Sequence, residues 1–158
     1  MKSLTPLEGL VTAVRFLTIV PVPGRDREAN PLGASSGWFP VVGLGLGALL
    51  VGGDRLLAFI FPPLLSALLV LALWKVLTGG LHLDGLADCL DGLAGSGREH
   101  SLAIMRDSRI GVFGVLGLIL LLLIEWVTLA EVPLHLRWRA LLLAPMLGRF
   151  APVLLARV

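Results

Sequence analysis

From Pro31 to Gly53 the chain runs for 23 residues without a charged side chain. As a helix that stretch would be about 34 Å long, against a hydrocarbon core of about 30 Å. Leu56 to Trp74 is a second charge-free run, of 19 residues. Ile110 to Ala130 is a third, broken only by Glu125, and Ala140 to Ala156 a fourth, containing Arg149. Four such runs in 158 residues leave no material for a polar shell. Composition agrees: 56% of the residues are hydrophobic and 15% charged. A soluble domain reaches about 45–50% apolar only with Gly counted, and is about 25% charged. A soluble single domain and a disordered chain are both excluded on these grounds. Nucleic-acid binding is excluded too, because the net charge is only +2 and no basic run exceeds two residues.

The expected fold is all-α: a polytopic membrane helical bundle of about four spans preceded by an N-terminal amphipathic or re-entrant helix. Residues 1–158 read as a single membrane-embedded domain. Leu7, Leu10, Val11, Val14 and Leu17 recur at helical spacing, and Pro21-Val22-Pro23 ends that helix. No cleavage site follows it, so it reads as retained structure. The first span starts near Trp38. Asp54-Arg55 makes the turn to the second, where Pro62-Pro63 imposes a kink or a late start. Glu131 to Arg139 makes the turn between the last two spans. The lone cysteine, Cys89, allows no internal disulfide.

Lys and Arg give the orientation. Lys2, Arg15, Arg25, Arg27, Arg98, Arg106, Arg109 and Arg157 fall on one side of the expected bundle. Arg55, Arg137 and Arg139 fall on the other, while Lys75 and Arg149 lie within spans. The richer side is the cytosolic one, so the segment 79–109 faces the cytosol.

That segment holds the acids that carry chemistry. Asp84, Asp88 and Asp91 are three of the 11 acidic residues in the chain, gathered into eight positions. Their i, i+4, i+7 spacing puts them within about 60° of one helix face. Leu83, Leu86, Leu90 and Leu93 take the opposite positions. No Lys or Arg lies between Lys75 and Arg98 to neutralise the acids. At about 5 Å and an effective dielectric near 20, each like-charge pair costs roughly 3 kcal/mol. Protonation relieves that cost, and so does a divalent cation, for which an oxygen-only ligand set without clustered His or Cys suits Mg²⁺ or Mn²⁺. A solvated acidic helix face is the plainer alternative, although such faces normally mix signs.

Arg106-Asp107-Ser108-Arg109-Ile110-Gly111 forms a second polar element, placed after a helix-like stretch from Arg98 to Met105 and before the third span. Two arginines at a helix start can hold phosphate. The alternative is positive-inside anchoring with Asp107 or Ser108 as the helix cap. His82 is a candidate base or simply a hydrogen-bonded boundary residue. Cys89 fits packing better than nucleophilic attack.

Taken together, Gly79 to Asp88, then Asp91-Gly92, then Ile104 to Gly111 resemble the cobalamin-5'-phosphate synthase family, the adenosylcobinamide-GDP ribazoletransferases. Phe16-Leu17-Thr18 with Pro21-Val22-Pro23, and Phe39 to Gly43, are similar to the family's N-terminal signatures. The resemblance implies a multi-pass enzyme of the cell inner membrane that joins adenosylcobinamide-GDP to α-ribazole or α-ribazole 5'-phosphate and releases GMP, with Mg²⁺ as cofactor. Its partners are then the lipid bilayer, a corrinoid nucleotide and a ribazole nucleoside. Motif positions make Asp84, Asp88 and Asp91 the metal carboxylates, Asp107 a further ligand or positioning group, and Arg106 and Arg109 phosphate holders. The base is an aspartate of the cluster or His82. Family members are longer and carry a late Gly-Thr-Gly-Asp-like motif. The chain reaches Arg157-Val158 without one, so the resemblance implies that it lacks the C-terminal part. A CDP-alcohol phosphotransferase also cleaves a pyrophosphate at a membrane-facing Asp cluster, but its Ala-Arg after the first Asp-Gly is Ala87-Asp88 here. A cation or proton transporter would place its carboxylates inside a span.

Overall fold

In the computed structural model of the protein, residues 5–23 and 32–155 are described. The described residues carry helices and no strand. They are α1 (Pro6–Leu17), a single turn α2 (Leu32–Ser35) running through a 3-10 turn into α3 (Phe39–Ile60), α4 (Pro63–Leu77), α5 (Leu81–Gly92), α6 (Arg98–Met105), α7 (Val112–Glu131) and α8 (Leu134–Leu155). The chain divides into two compact units, residues 1–79 with 129–158, and residues 80–128.

The first unit is built on α3. Gly43 and Gly47 stand one turn apart on it and let α8 approach backbone to backbone. A Cβ on Gly43 would lie 2.5 Å from the Pro145 carbonyl oxygen, and one on Gly47 would lie 2.6 Å from that of Leu142. This is how helices associate in lipid, where small residues replace hydrophobic collapse as the source of contact. At the N-terminal end of α3 the buried cluster is Ala13, Leu17, Phe39, Val42 and Val153, with Trp38 packed against it. Thr5 and Glu8 start α1 with a capping box, their side chains bonding each other's amides at 3.3 and 3.0 Å. The amphipathic N-terminal helix expected from the apolar spacing is thus present. It stops at Leu17, four residues ahead of Pro21, where the Ile19 amide turns instead to the Leu77 carbonyl at 2.9 Å.

Two turn positions differ from the sequence expectation, and one ion pair explains both. Asp54 does not turn the chain; it lies inside α3, which runs on to Ile60 and breaks at Phe61-Pro62. Likewise α8 begins at Leu134 directly after Pro133, so Arg137 belongs to a helix and not to a solvated loop. Arg137 is fully buried, and its Nη1 donates to Asp54 Oδ1 and to Ser66 Oγ, both at 3.1 Å. Nη2 reaches the Ala130 carbonyl at 3.4 Å. One guanidinium therefore ties α3, α4 and α8 together, and the aspartate that looked like a turn residue is its counter-ion.

Among the described residues, two helical stretches, Ser36–Ile60 and Val112–Glu131, are long and apolar enough to cross a membrane, or three if Pro63–Leu77 and Leu81–Gly92 make one broken span. The α8 helix, with Arg137, Arg139 and Arg149, is not among them. Large side chains of α7, including Phe113, Leu116, Leu120 and Ile124, are exposed. The apolar helices point to a membrane protein. Of the residues used to orient the bundle, Lys2, Arg25, Arg27 and Arg157 lie outside the described residues.

Removing one partner of a buried pair leaves an uncompensated charge, whereas removing both need not be costly. Arg137→Met is expected to lower stability by about 3–5 kcal/mol in denaturant unfolding from detergent micelles. The double variant Asp54→Leu with Arg137→Met should recover most of that loss. A single variant as stable as the parent would show that the pair is not a keystone.

Candidate functional site

The second unit contains every candidate site residue. It begins at Gly80, which with Gly79 takes left-handed backbone angles, φ 70° and 60°. Two such residues in succession are inexpensive only for glycine. Thr78 closes α4, its hydroxyl donating to the Trp74 carbonyl at 3.1 Å. The Gly80 carbonyl then accepts the amides of Leu83 and Asp84 at 2.8 and 2.9 Å and opens α5. The acidic run is therefore a helix, as its spacing predicts.

Along α5 the three carboxylates have different surroundings. Asp84 is exposed and Asp88 half-buried. Among the described residues neither accepts a hydrogen bond or meets a cation. Asp91 is buried, at 7% exposure. Its Oδ2 accepts the Gly111 amide at 2.7 Å and its Oδ1 accepts the Gly114 amide at 2.8 Å. Asp91 thus caps the first turn of α7 from about twenty residues upstream, which neither Asp107 nor Ser108 does. Nothing in the residues around Asp91 signals this directly. The signal that could have found it is the Gly111, Gly114, Gly117 spacing: a Cβ at either of the first two would strike the Asp91 carboxylate, and one at the third would strike Leu90.

The α6 helix occupies the residues expected and folds back on the end of α5. A Cβ on Gly92 would lie 2.6 Å from Met105 Cε, so this glycine sets the closeness of the two helices. Beyond α6, Asp107 and Arg109 pair locally and in the open. Arg109 Nη2 donates to Oδ2 at 2.6 Å, Nε to both oxygens at 3.1 Å, and the Arg109 amide to Oδ1 at 3.0 Å. The guanidinium bonds first, then the amide bond, hold the Asp107 carboxyl at about 2 against an ordinary 3.8. The Nη1 hydrogens of Arg109 remain available, and its side chain is 87% exposed. Arg106 ends α6 and is exposed. His82 is exposed on the first turn of α5. Cys89 is a free, exposed thiol.

Among the described residues, no three His, Cys, Asp or Glu side chains converge into a group that could cage an ion. Magnesium seldom needs such a cage. It is commonly held by one or two carboxylates and completed by water and substrate phosphates. Asp84 and Asp88, a turn apart, uncompensated and carrying oxygen donors only, fit that pattern.

A carboxyl with a lowered folded pKa adds stability above its unfolded pKa and loses it as pH falls through the folded value. For Asp107 that window runs from 3.8 down to about 2, so its pair with Arg109 is intact throughout the neutral range. A carboxyl-carbon NMR titration should find Asp107 titrating near 2, and Arg109→Gln should return it toward 3.8. An unchanged midpoint in the variant would show that Arg109 is not the cause.

Comparison with known proteins places the whole arrangement in context. A family model described as cobalamin-5-phosphate synthase matches residues 9–158. A protein of Geotalea daltonii is 49% identical over 144 residues, covering 89% of this chain and 58% of its own length. One from Prosthecochloris aestuarii is 45% identical over 157 residues, covering 96% and 61% respectively. One from Brevibacillus brevis is 41% identical over 145 residues, covering 90% and 58%. Each is named adenosylcobinamide-GDP ribazoletransferase. The chain spans about three-fifths of the length of these relatives. No solved structure matches it.

Proposed function

The chain belongs to the cobalamin-5-phosphate synthase family, and from that membership we propose that it carries the phosphoryl-transfer centre of an Mg²⁺-dependent adenosylcobinamide-GDP ribazoletransferase. The substrates are adenosylcobinamide-GDP and α-ribazole or its 5'-phosphate. The product is cobalamin or cobalamin 5'-phosphate in its adenosyl form, and GMP is released. The observation that carries this reading is the pair of uncompensated carboxylates, Asp84 and Asp88, in the same compact unit as the Arg106–Arg109 segment.

In the reaction a ribazole hydroxyl oxygen bonds to the phosphorus nearer the corrinoid. The bridging P–O bond of the diphosphate breaks, its electrons leave with GMP, and the hydroxyl proton goes to a base. When bound at Asp84 and Asp88, Mg²⁺ would neutralise charge on the diphosphate and on the leaving phosphate. Arg106 and Arg109 hold non-bridging oxygens. Asp107 takes the Nε edge of Arg109 and so sets the plane in which its other hydrogens are offered. The proton acceptor is Asp84, Asp88 or His82, which is exposed on the same helix.

The site faces the cytosol of an inner-membrane protein. Arg98, Arg106 and Arg109, all in exposed positions within the described residues, support that side under the positive-inside tendency. With Cys89→Ser as background, Glu99→Cys should react with a membrane-impermeant thiol reagent in inverted vesicles and not in intact cells. The opposite pattern would reverse the orientation.

Asp84→Asn and Asp88→Asn in the intact protein should each reduce GMP release by about 10²-fold or more, and the residual activity should need more Mg²⁺. Activity and metal dependence that both stay at the parent's level would sink the assignment. A CDP-alcohol phosphotransferase would release CMP from a CDP-alcohol instead, and a transporter would release no nucleotide.

A further inference from the structure

Asp91 shares a helix face with Asp84 and Asp88, yet its surroundings are built for something other than an ion. Each of its oxygens already accepts a backbone amide, from Gly111 at 2.7 Å and Gly114 at 2.8 Å. These amides lie in the first turn of α7, where a helix leaves its N–H groups without acceptors of its own. A carboxylate there also faces the positive end of the helix dipole. The seat is shaped to the carboxylate, since side chains at 111 and 114 would occupy its place.

Gly111 closes the segment that starts at Arg106 and carries Arg109. Fixing its amide on α5 fixes where that segment ends relative to the helix bearing Asp84 and Asp88. We infer that Asp91 is a positioning residue, a remote cap of α7 that holds the Arg106–Arg109 segment beside α5, and not a third metal ligand. The inference rests on the reading above in which both arginines hold substrate phosphate. It also explains why the position needs two acceptors. Asparagine offers one oxygen, and its amide nitrogen would confront the second N–H.

Two variants of the intact protein test this. Asp91→Asn keeps size and shape while removing one acceptor; Gly114→Ala keeps every carboxylate but evicts Asp91 from its seat. Both should speed hydrogen exchange at residues 111–114 by about tenfold or more. Both should raise KM for the GDP-linked substrate about tenfold while kcat stays within about threefold. Mn²⁺ binding, read by electron paramagnetic resonance, should stay within about twofold of the parent. A loss of folded protein alone would lower apparent kcat and leave KM in place. If Gly114→Ala does not fold, Asp91→Asn carries the test by itself. Weakened Mn²⁺ binding with unchanged exchange at 111–114 would make Asp91 a metal ligand and overturn the inference. Faster exchange with an unchanged KM would overturn it too, leaving a cap that positions nothing. In a preparation that transfers no ribazole, the same Kd shift for inorganic pyrophosphate keeps the cap and rejects only the reaction.

Discussion

One carboxylate shared by two backbone amides organises the unit that holds every candidate site residue. Asp91 closes the start of α7 against α5, and the approach is that close because residues 111, 114 and 117 have no side chains to hold the helices apart. The segment Arg106–Gly111 is pinned at its far end by these bonds and folded at its near end by Gly92 against Met105. Within it, Asp107 orients Arg109. Asp91, Asp107 and Arg109 are therefore each held by another polar group, and Asp84 and Asp88 are the two carboxylates of α5 left without a partner among the described residues.

The first unit applies the same economy of charge in an apolar setting. Arg137 directs Nη1 to Asp54 and Ser66 and Nη2 to the Ala130 carbonyl, which lets three helices share one buried cation. Removing either partner of this pair would leave an uncompensated buried charge. Gly43 and Gly47 do the rest by bringing α8 onto α3. The Asp54–Arg137 pair matches its charges within this unit, while Asp84 and Asp88, which meet no cation among the described residues, lie in the other unit.

Much of this is legible in the sequence. Charge-free runs locate α3 and α7, the aspartate spacing locates α5, and the helix-like stretch Arg98–Met105 coincides with α6. What escaped were the two places where a charge acts at a distance in sequence. Asp54-Arg55 reads as a turn because charged pairs between apolar runs usually meet water. Nothing local reveals that Asp54 faces a residue 83 positions away. Asp91 reads as the third of three equivalent acids because periodicity reports direction on a helix and not what waits there. Only the glycines at 111 and 114 hint at it, and their meaning depends on tertiary approach.

The central claim is a division of labour: Asp84 and Asp88 hold the metal, and Asp91 holds α7. An experimental structure of the intact protein with Mn²⁺ and GDP, the metal located by its anomalous scattering, tests it most directly. The predicted result is Mn²⁺ coordinated by oxygens of Asp84, Asp88 and the diphosphate, with Asp91 still bonded to the Gly111 and Gly114 amides. Mn²⁺ coordinated by Asp91 with those amides released, or Mn²⁺ away from α5 altogether, would contradict it.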